Sequence, residues 1–234
     1  MAELRAHGTK LRAVIPWNKL ASARAPDGTE LSLWKRGEEI VVRVGGVDLM
    51  GSRQHGSEEL LAELGCEGLG EGARVLIGGL GLGFTLKATL ALLPRRSEVV
   101  VGELVPEIVQ WVRDPVGGGK LLDDRRTKIE IGNVADLIRR SEARFDAIML
   151  DVDNGPAALC LKDNHVLYGP DGLAAAARAL KPGGRLAIWS AGDDAAFTKR
   201  FGRSGFDARA VHTRARRDKG ARHVIFVGDL PKRR

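Results

Sequence analysis

The sequence predicts an α/β protein: a seven-stranded, mostly parallel sheet with a C-terminal antiparallel hairpin, plus a small β-rich N-terminal extension. Three observations predict it. Short apolar runs alternate with helical stretches from residue 73 onward. The runs are nearly continuous, as strands buried on both faces require. A glycine-rich turn joins the first run directly to a helix, an arrangement that open α/β sheets use to hold ligands.

Residues 1–56 form the extension. Leu31, Leu33 and Trp34 precede a turn at Arg36-Gly37, Ile40 to Val44 follow it, and Gly45-Gly46 leads into Val47 to Met50. Short runs punctuated by glycine predict a meander or hairpin, with Trp17 and Trp34 in its core. Residues 57–234 form the main domain. Ser57 is the predicted N-cap of a helix ending at Gly65, with Glu58 and Glu59 in its first turn and Leu60, Leu61 and Leu64 as its apolar stripe. Strands are expected at 74–77, 99–102, 129–131, 147–150, 186–189, 208–212 and 224–227. Helices are expected at 84–93, 105–112, 136–140, 173–180 and 195–203. Repeated βα units require parallel strands with right-handed crossovers. The polar, basic stretch 214–222 makes the last two strands an antiparallel hairpin.

The chain has 234 residues, 44% of them hydrophobic, which suits one full-sized domain and a small appendage. No apolar run approaches the roughly 20 residues of a bilayer span. Residues 1–10 carry charges of both signs and no apolar core, unlike a secretory leader. Cys66 and Cys160 stand far apart, outside any metal-ligand spacing, and read as reduced, packed thiols. Together these features predict a cytoplasmic protein. The net charge of +7 is unevenly placed: residues 199–234 hold 12 Lys and Arg against 3 Asp and Glu, leaving the rest slightly acidic. A basic end can dock on RNA. With only Phe201, Phe206 and Phe226 among those residues to stack on bases, a solvated hairpin and tail is the simpler reading.

Val75 to Phe84 reads VLIGGLGLGF. Hydrophobic residues lead into Gly78, Gly79, Gly81 and Gly83, and a helix begins at once. Glycine is needed where the backbone turns with positive φ and passes close to a ligand. In a Rossmann-like sheet that ligand lies across the carboxyl ends of the strands. Glu103 ends the next strand, 20 residues beyond Gly83, where a carboxylate can accept hydrogen bonds from both ribose hydroxyls. The dinucleotide fingerprint begun at Gly79 would need glycine in place of Phe84, so the pattern suits a cofactor without a pyrophosphate. Gly117-Gly-Gly-Lys120 fails as a phosphate loop, since Asp114 and Leu121 stand where glycine and Ser or Thr are required. It reads as a surface loop.

These residues resemble class I S-adenosylmethionine-dependent methyltransferases. Gly132-Asn133, with Val134 beside it, stands where that family often places Gly-Asp against the adenine amino group. Phe145-Asp-Ala-Ile-Met-Leu-Asp151 looks like the family's fourth strand. Leu180-Lys-Pro-Gly-Gly184 followed by Leu-Ala-Ile-Trp189 is similar to its turn into strand five. Within the superfamily the chain looks most like the spermidine synthases (polyamine aminopropyltransferases), with a β-rich N-terminal piece, an acidic loop after strand four and Leu167-Tyr168 before the next helix. Asp151 matches the first acid of that family's Asp-x-x-Asp loop, which holds the proton-accepting aspartate. Tyr168 matches the tyrosine of its Phe-Tyr pair. The chain also departs from the pattern. Gly81 stands in place of the acid thought to disfavour the carboxylate of intact S-adenosylmethionine. The loop reads Asp151-Val-Asp-Asn-Gly-Pro156, with acids two apart; Ser57-Glu58-Glu59 replaces Tyr-His-Glu, and Trp189 replaces Gln.

The resemblance implies a transferase using S-adenosylmethionine, with methyl transfer to a small or amine-bearing acceptor as the leading expectation. Aminopropyl transfer from decarboxylated S-adenosylmethionine is the alternative, and a non-catalytic nucleotide- or RNA-binding protein is the third. Gly78, Gly79, Gly81, Gly83, Glu103, Asn133, Val134 and Asp151 are expected to hold the cofactor. Asp151 is also the expected base or orienter, joined by Asp153 and Tyr168. Asn154, His165, Trp189 and His55 are expected near the acceptor, though each could equally serve packing or a solvated loop. Asp151-x-Asp153 lacks an identifiable third ligand, so no metal is expected. A homodimer is expected from the resemblance.

Overall fold

The computed structural model describes residues 15–152, 155–156 and 165–232. Strands β1 (Asn18–Arg24), β2 (Glu30–Arg36), β3 (Glu39–Val44) and β4 (Val47–Gly51) form an antiparallel four-stranded meander. β1 carries no readable apolar pattern, because only Ala23 among its side chains is buried. The two tryptophans are not core residues of this sheet, contrary to the sequence reading. Its buried residues are Ala23, Leu31, Leu33, Ile40, Val41 and Val42. Trp34 follows Leu33 and so points to the opposite face. There the Arg43 guanidinium lies 4.9 Å from the Trp17 ring centre and 5.0 Å from that of Trp34.

The larger sheet contains β5 (Arg74–Gly78), β6 (Glu98–Glu103), β7 (Thr127–Ile131), β8 (Phe145–Leu150), β9 (Leu180–Ser190), β10 (Asp207–Arg214) and β11 (Arg222–Asp229), in the order β10-β11-β9-β8-β5-β6-β7. β5 to β9 run parallel, and β11 pairs antiparallel with both β9 and β10. The helices are α1 (Gly56–Cys66), α2 (Phe84–Leu92), α3 (Pro106–Arg113), α4 (Gly119–Leu122), α5 (Val134–Arg139), α6 (His165–Tyr168), α7 (Pro170–Ala179) and α8 (Ala195–Arg203). Val75, Ile77, Val99, Val101 and Met149 face α1, α2, α3 and the inner residues of the small sheet. Leu76, Val100, Ile148 and Leu150 face α5, α7 and α8. Both faces are covered, which is why these strands read as unbroken apolar runs.

Two local expectations are corrected. Ser57 lies inside α1 and does not cap it: the N-cap is His55, with no side-chain cap bond. The helix start is set from outside, by a hydrogen bond from the Gly56 N–H to the Ala215 carbonyl at 2.9 Å. Gly117 to Lys120 is not wholly a loop, since Gly119 and Lys120 enter the one-turn helix α4, anchored by buried Leu122. The strand order turns back between β5 and β8, because the chain goes from β5 outward to β6 and β7 and then returns. Such a switch point opens a crevice at the carboxyl ends of the strands.

Candidate active site

The crevice has two lobes, which share Leu49, Met50, Gly81 and Asp151. The first is built mainly from backbone. Gly79 has φ +86°, and a Cβ there would collide with the Asp151 carbonyl oxygen. Its N–H donates to the Gly102 carbonyl at 2.8 Å, which ties the turn to β6. Gly81 lines both lobes, and a Cβ there would stand 3.2 Å from the Met50 sulfur. Glu103 is buried at the end of β6. Its Oε2 accepts from the Leu80 N–H and its Oε1 from the Val105 N–H, each at 2.8 Å. Burial raises its pKa, and the backbone N–H groups pull it back down. Each carboxylate oxygen keeps a further lone pair, so Glu103 can brace the turn and still accept two hydroxyls. Asn133 caps α5, with Oδ1 accepting from the Ala135 N–H at 2.8 Å. What it offers a purine is therefore its amide NH₂, a donor, where an aspartate would offer acceptors. Val134 lines this lobe beside it, and Leu31 and Val44 of the small sheet line its other side.

The second lobe is built from side chains. Glu58, Phe84, Asp151, Trp189 and His223 line it, opposite Glu39, Asp48 and Met50 from the small sheet. Asp151 accepts a hydrogen bond from Thr85 Oγ1. Burial pushes its pKa up to about 6, against the effect of that bond. Glu58 is pushed up to about 7, first by burial and then by the charge of Asp151. Two acids facing one cavity cannot both ionise cheaply, so the pair retains a proton or attracts a cation. Among the described residues neither forms an ion pair with Lys or Arg, whereas the other two acids of the lobe do. Glu39 is paired with Arg36 at 2.8 Å and Arg53 at 3.4 Å, and Asp48 with Arg43 at 2.7 Å.

The structure brings Gly79, Gly81, Glu103, Asn133, Val134 and Asp151 together around the first lobe. Gly78 packs beneath it, where a Cβ would stand 3.0 Å from Leu150 and 3.1 Å from Val134, and Gly83 caps α2. Trp189 lines the second lobe, with its Nε1 buried and unpartnered and its ring edge-on to His223 at 4.6 Å. His55 stacks on Phe84 at 4.4 Å and pairs with Glu59 at 2.9 Å, behind the residues that line the lobe. Tyr168 is buried away from both lobes, and its hydroxyl donates to the Val152 carbonyl at 3.1 Å, bracing the residue after Asp151. Asp153, Asn154 and the side chain of His165 lie outside the described residues. The sequence reading missed Glu58, Thr85 and His223 as site residues. Thr85 follows the glycine turn by two positions and Glu58 was visible as a first-turn acid, but nothing local marks His223. No group of three metal-ligating side chains occurs among the described residues, and none of their helices is long and apolar enough to cross a membrane.

No protein-family profile matches this chain, and no curated protein matches its sequence. Solved structures do match its fold. Spermidine synthase from Thermotoga maritima aligns with a TM-score of 0.72 at 18% identity, over 90% of this chain and 72% of that one. A spermidine synthase in complex with the transition state analogue AdoDATO aligns with a TM-score of 0.75 at 18% identity, over 90% and 73%. A probable spermidine synthase from Corynebacterium glutamicum aligns with a TM-score of 0.63 at 17% identity, over 91% and 79%. The fold is the one those proteins share. At this identity the likeness is one of architecture, and the chemistry must be argued from the site.

Proposed function

We propose that this protein transfers an aminopropyl group from decarboxylated S-adenosylmethionine to an amine. The observation that carries the reading is the Glu58–Asp151 pair, two acids without a Lys or Arg partner among the described residues, in a lobe that shares Asp151 and Gly81 with the glycine-lined one. Intact S-adenosylmethionine would bring a carboxylate towards that pair along with its ammonium, whereas the decarboxylated donor keeps the ammonium alone. Coulomb repulsion between that carboxylate and the acid pair makes the preference worth several-fold or more in affinity. The solved spermidine synthase with AdoDATO, alike in fold, supports the same choice.

In the reaction the amine nitrogen attacks the carbon next to sulfur, the carbon–sulfur bond breaks, and the sulfonium leaves as a neutral thioether. Gly79 and Gly81 let the backbone close on the adenosine, and Glu103 fixes the ribose. Asp151, held by Thr85, orients the amine and takes its proton; Glu58 keeps a second acceptor beside it. Alignment of this kind can account for about 7 to 11 kcal/mol of a barrier, and a positioned base for about 10²- to 10⁴-fold in rate.

Methyl transfer from S-adenosylmethionine is the second reading, favoured by Gly81, where no acid stands to reject a donor carboxylate. Calorimetry with both donors separates the two, followed by mass analysis of the product made with 1,4-diaminobutane. Tighter binding of the decarboxylated donor and an aminopropylated product are expected. A methylated product, or preference for the intact donor, would overturn the first reading in favour of the second.

A further inference from the structure

The Glu58–Asp151 pair must lose the proton it takes before it can serve again, and the bound acceptor would block the mouth of the lobe. A second way out lies behind Glu58. Ser57 is fully buried in α1 and is not occupied in capping the helix. Its hydroxyl donates to Glu58 Oε2 at 2.7 Å, and the same oxygen lies 2.9 Å from His223 Nδ1. His223 lines the second lobe on one side and a basic surface pocket on the β10–β11 hairpin on the other. It is the only one of the described residues common to both cavities.

We propose that Ser57 and His223 are the proton exit of this site, carrying to solvent at the hairpin the proton that the acceptor amine gives to the acid pair. The proposal rests on the transfer reading above. A serine hydroxyl has one proton to give and lone pairs to receive another. Once Glu58 is protonated, the Ser57 hydroxyl turns from Glu58 to His223; the Glu58 carboxyl proton then passes to Ser57 Oγ as the serine's own proton moves to His223 Nδ1. The imidazolium then sheds its Nε2 proton to water. One proton enters at the amine and one leaves at the surface, with no change of oxidation state.

The backbone keeps this geometry rigid. The Gly56 N–H bond to Ala215 joins α1 to the hairpin, and a Cβ on Gly56 would stand 2.8 Å from the Arg217 nitrogen. Trp189 holds the imidazole from a third side. The charged and titratable groups around the ring are Arg214, Arg217, Arg222, Asp218 and His212 on the hairpin side and Glu58 on α1. Glu59 and Glu63 of α1 pair with Arg217. Burial lowers the His223 pKa, so the resting ring is neutral and ready to accept. Ser57 and His223 act through Glu58 and are positioning residues, not catalytic ones.

The test uses the full chain with Ser57→Ala and His223→Ala, and His223→Gln as the variant that fills the same space. We expect kcat to fall about tenfold or more, short of the 10²- to 10⁴-fold of a group in direct contact with substrate, while KM holds. Added imidazole should restore part of the rate of His223→Ala and none of that of Ser57→Ala. Without substrate, the ring ¹⁵N shifts of His223 should step as Glu58 ionises near its raised pKa of about 7, and the step should vanish in Ser57→Ala. Unchanged kcat in all three variants, or His223 shifts that ignore Ser57→Ala, would overturn the exit. Normal transfer without the ¹⁵N step removes the exit alone. The step without transfer to any amine removes the transfer reading and leaves the hydrogen-bonded connection standing.

Discussion

The two lobes of the crevice are made in opposite ways. The first lobe is backbone: a turn that only glycine can make, N–H groups gathered by Glu103, and a helix start at Asn133. The second lobe is side chains delivered by distant segments, with Glu58 from α1, Asp151 just beyond β8, Trp189 from β9 and His223 from β11. A backbone lobe is rigid and intolerant of substitution. A side-chain lobe is adjustable, so its chemistry can be changed without disturbing the glycine turn beside it.

That contrast can be broken by substitution. The largest effect is expected from Asp151→Asn, which should cut kcat by about 10²- to 10⁴-fold while affinity for the thioether product, measured by calorimetry, stays near that of the parent. Gly79→Ala should do the reverse. Its positive φ alone costs about 1 to 3 kcal/mol, and the collision with the Asp151 carbonyl adds to that, so thioether binding and urea stability should both drop. Glu103→Gln leaves one oxygen to accept where two did, and hydrogen bonds to a charged group are worth about 1.5 to 3 kcal/mol. Thioether affinity should fall by an amount in that range, with little change in the pH profile of turnover.

The acid pair supplies a subtler test. A carboxyl whose pKa is raised by folding binds its proton more tightly in the folded chain than in the unfolded one. The pair therefore favours folding at low pH, and that contribution is lost as pH rises through about 6 and about 7. Between about pH 4 and pH 7 the parent's Tm should decline on this account, and Glu58→Gln should flatten the decline. Amine binding should release protons, read as a buffer-dependent calorimetric heat; a heat independent of buffer would mean the pair is already ionised. The smallest effect is expected from Trp189→Phe. Removing an unpartnered buried donor should leave stability within about 1 kcal/mol of the parent or slightly above it, checked by urea denaturation.

Legibility in the sequence follows the same division. Val75 to Ile77 and Ile148 to Leu150 are buried on both faces of the sheet and so appear as apolar runs. The glycines of the turn report a backbone requirement, which is local by nature. β1 was unreadable because Asn18–Arg24 packs through Ala23 alone. Ser57 reads as a cap because a serine followed by two glutamates suits one, yet the bond from Gly56 to Ala215 sets the helix start from a hairpin far along the chain. Trp34 reads as core by residue type, while strand alternation turns it to the arginine side. His223 meets Ser57 across 166 positions, a contact that the sheet creates and no short pattern can announce.

The small sheet has a consequence for anyone who would shorten this chain. Leu49 and Met50 roof both lobes, and Leu33 and Val42 belong to the same buried cluster as Leu61, Val75 and Leu86. A protein begun at residue 57 would bare one side of its own interior to water along with its ligand sites. Truncation there should yield insoluble material instead of a minimal enzyme, so the N-terminal strands are better treated as a wall of the building than as a porch.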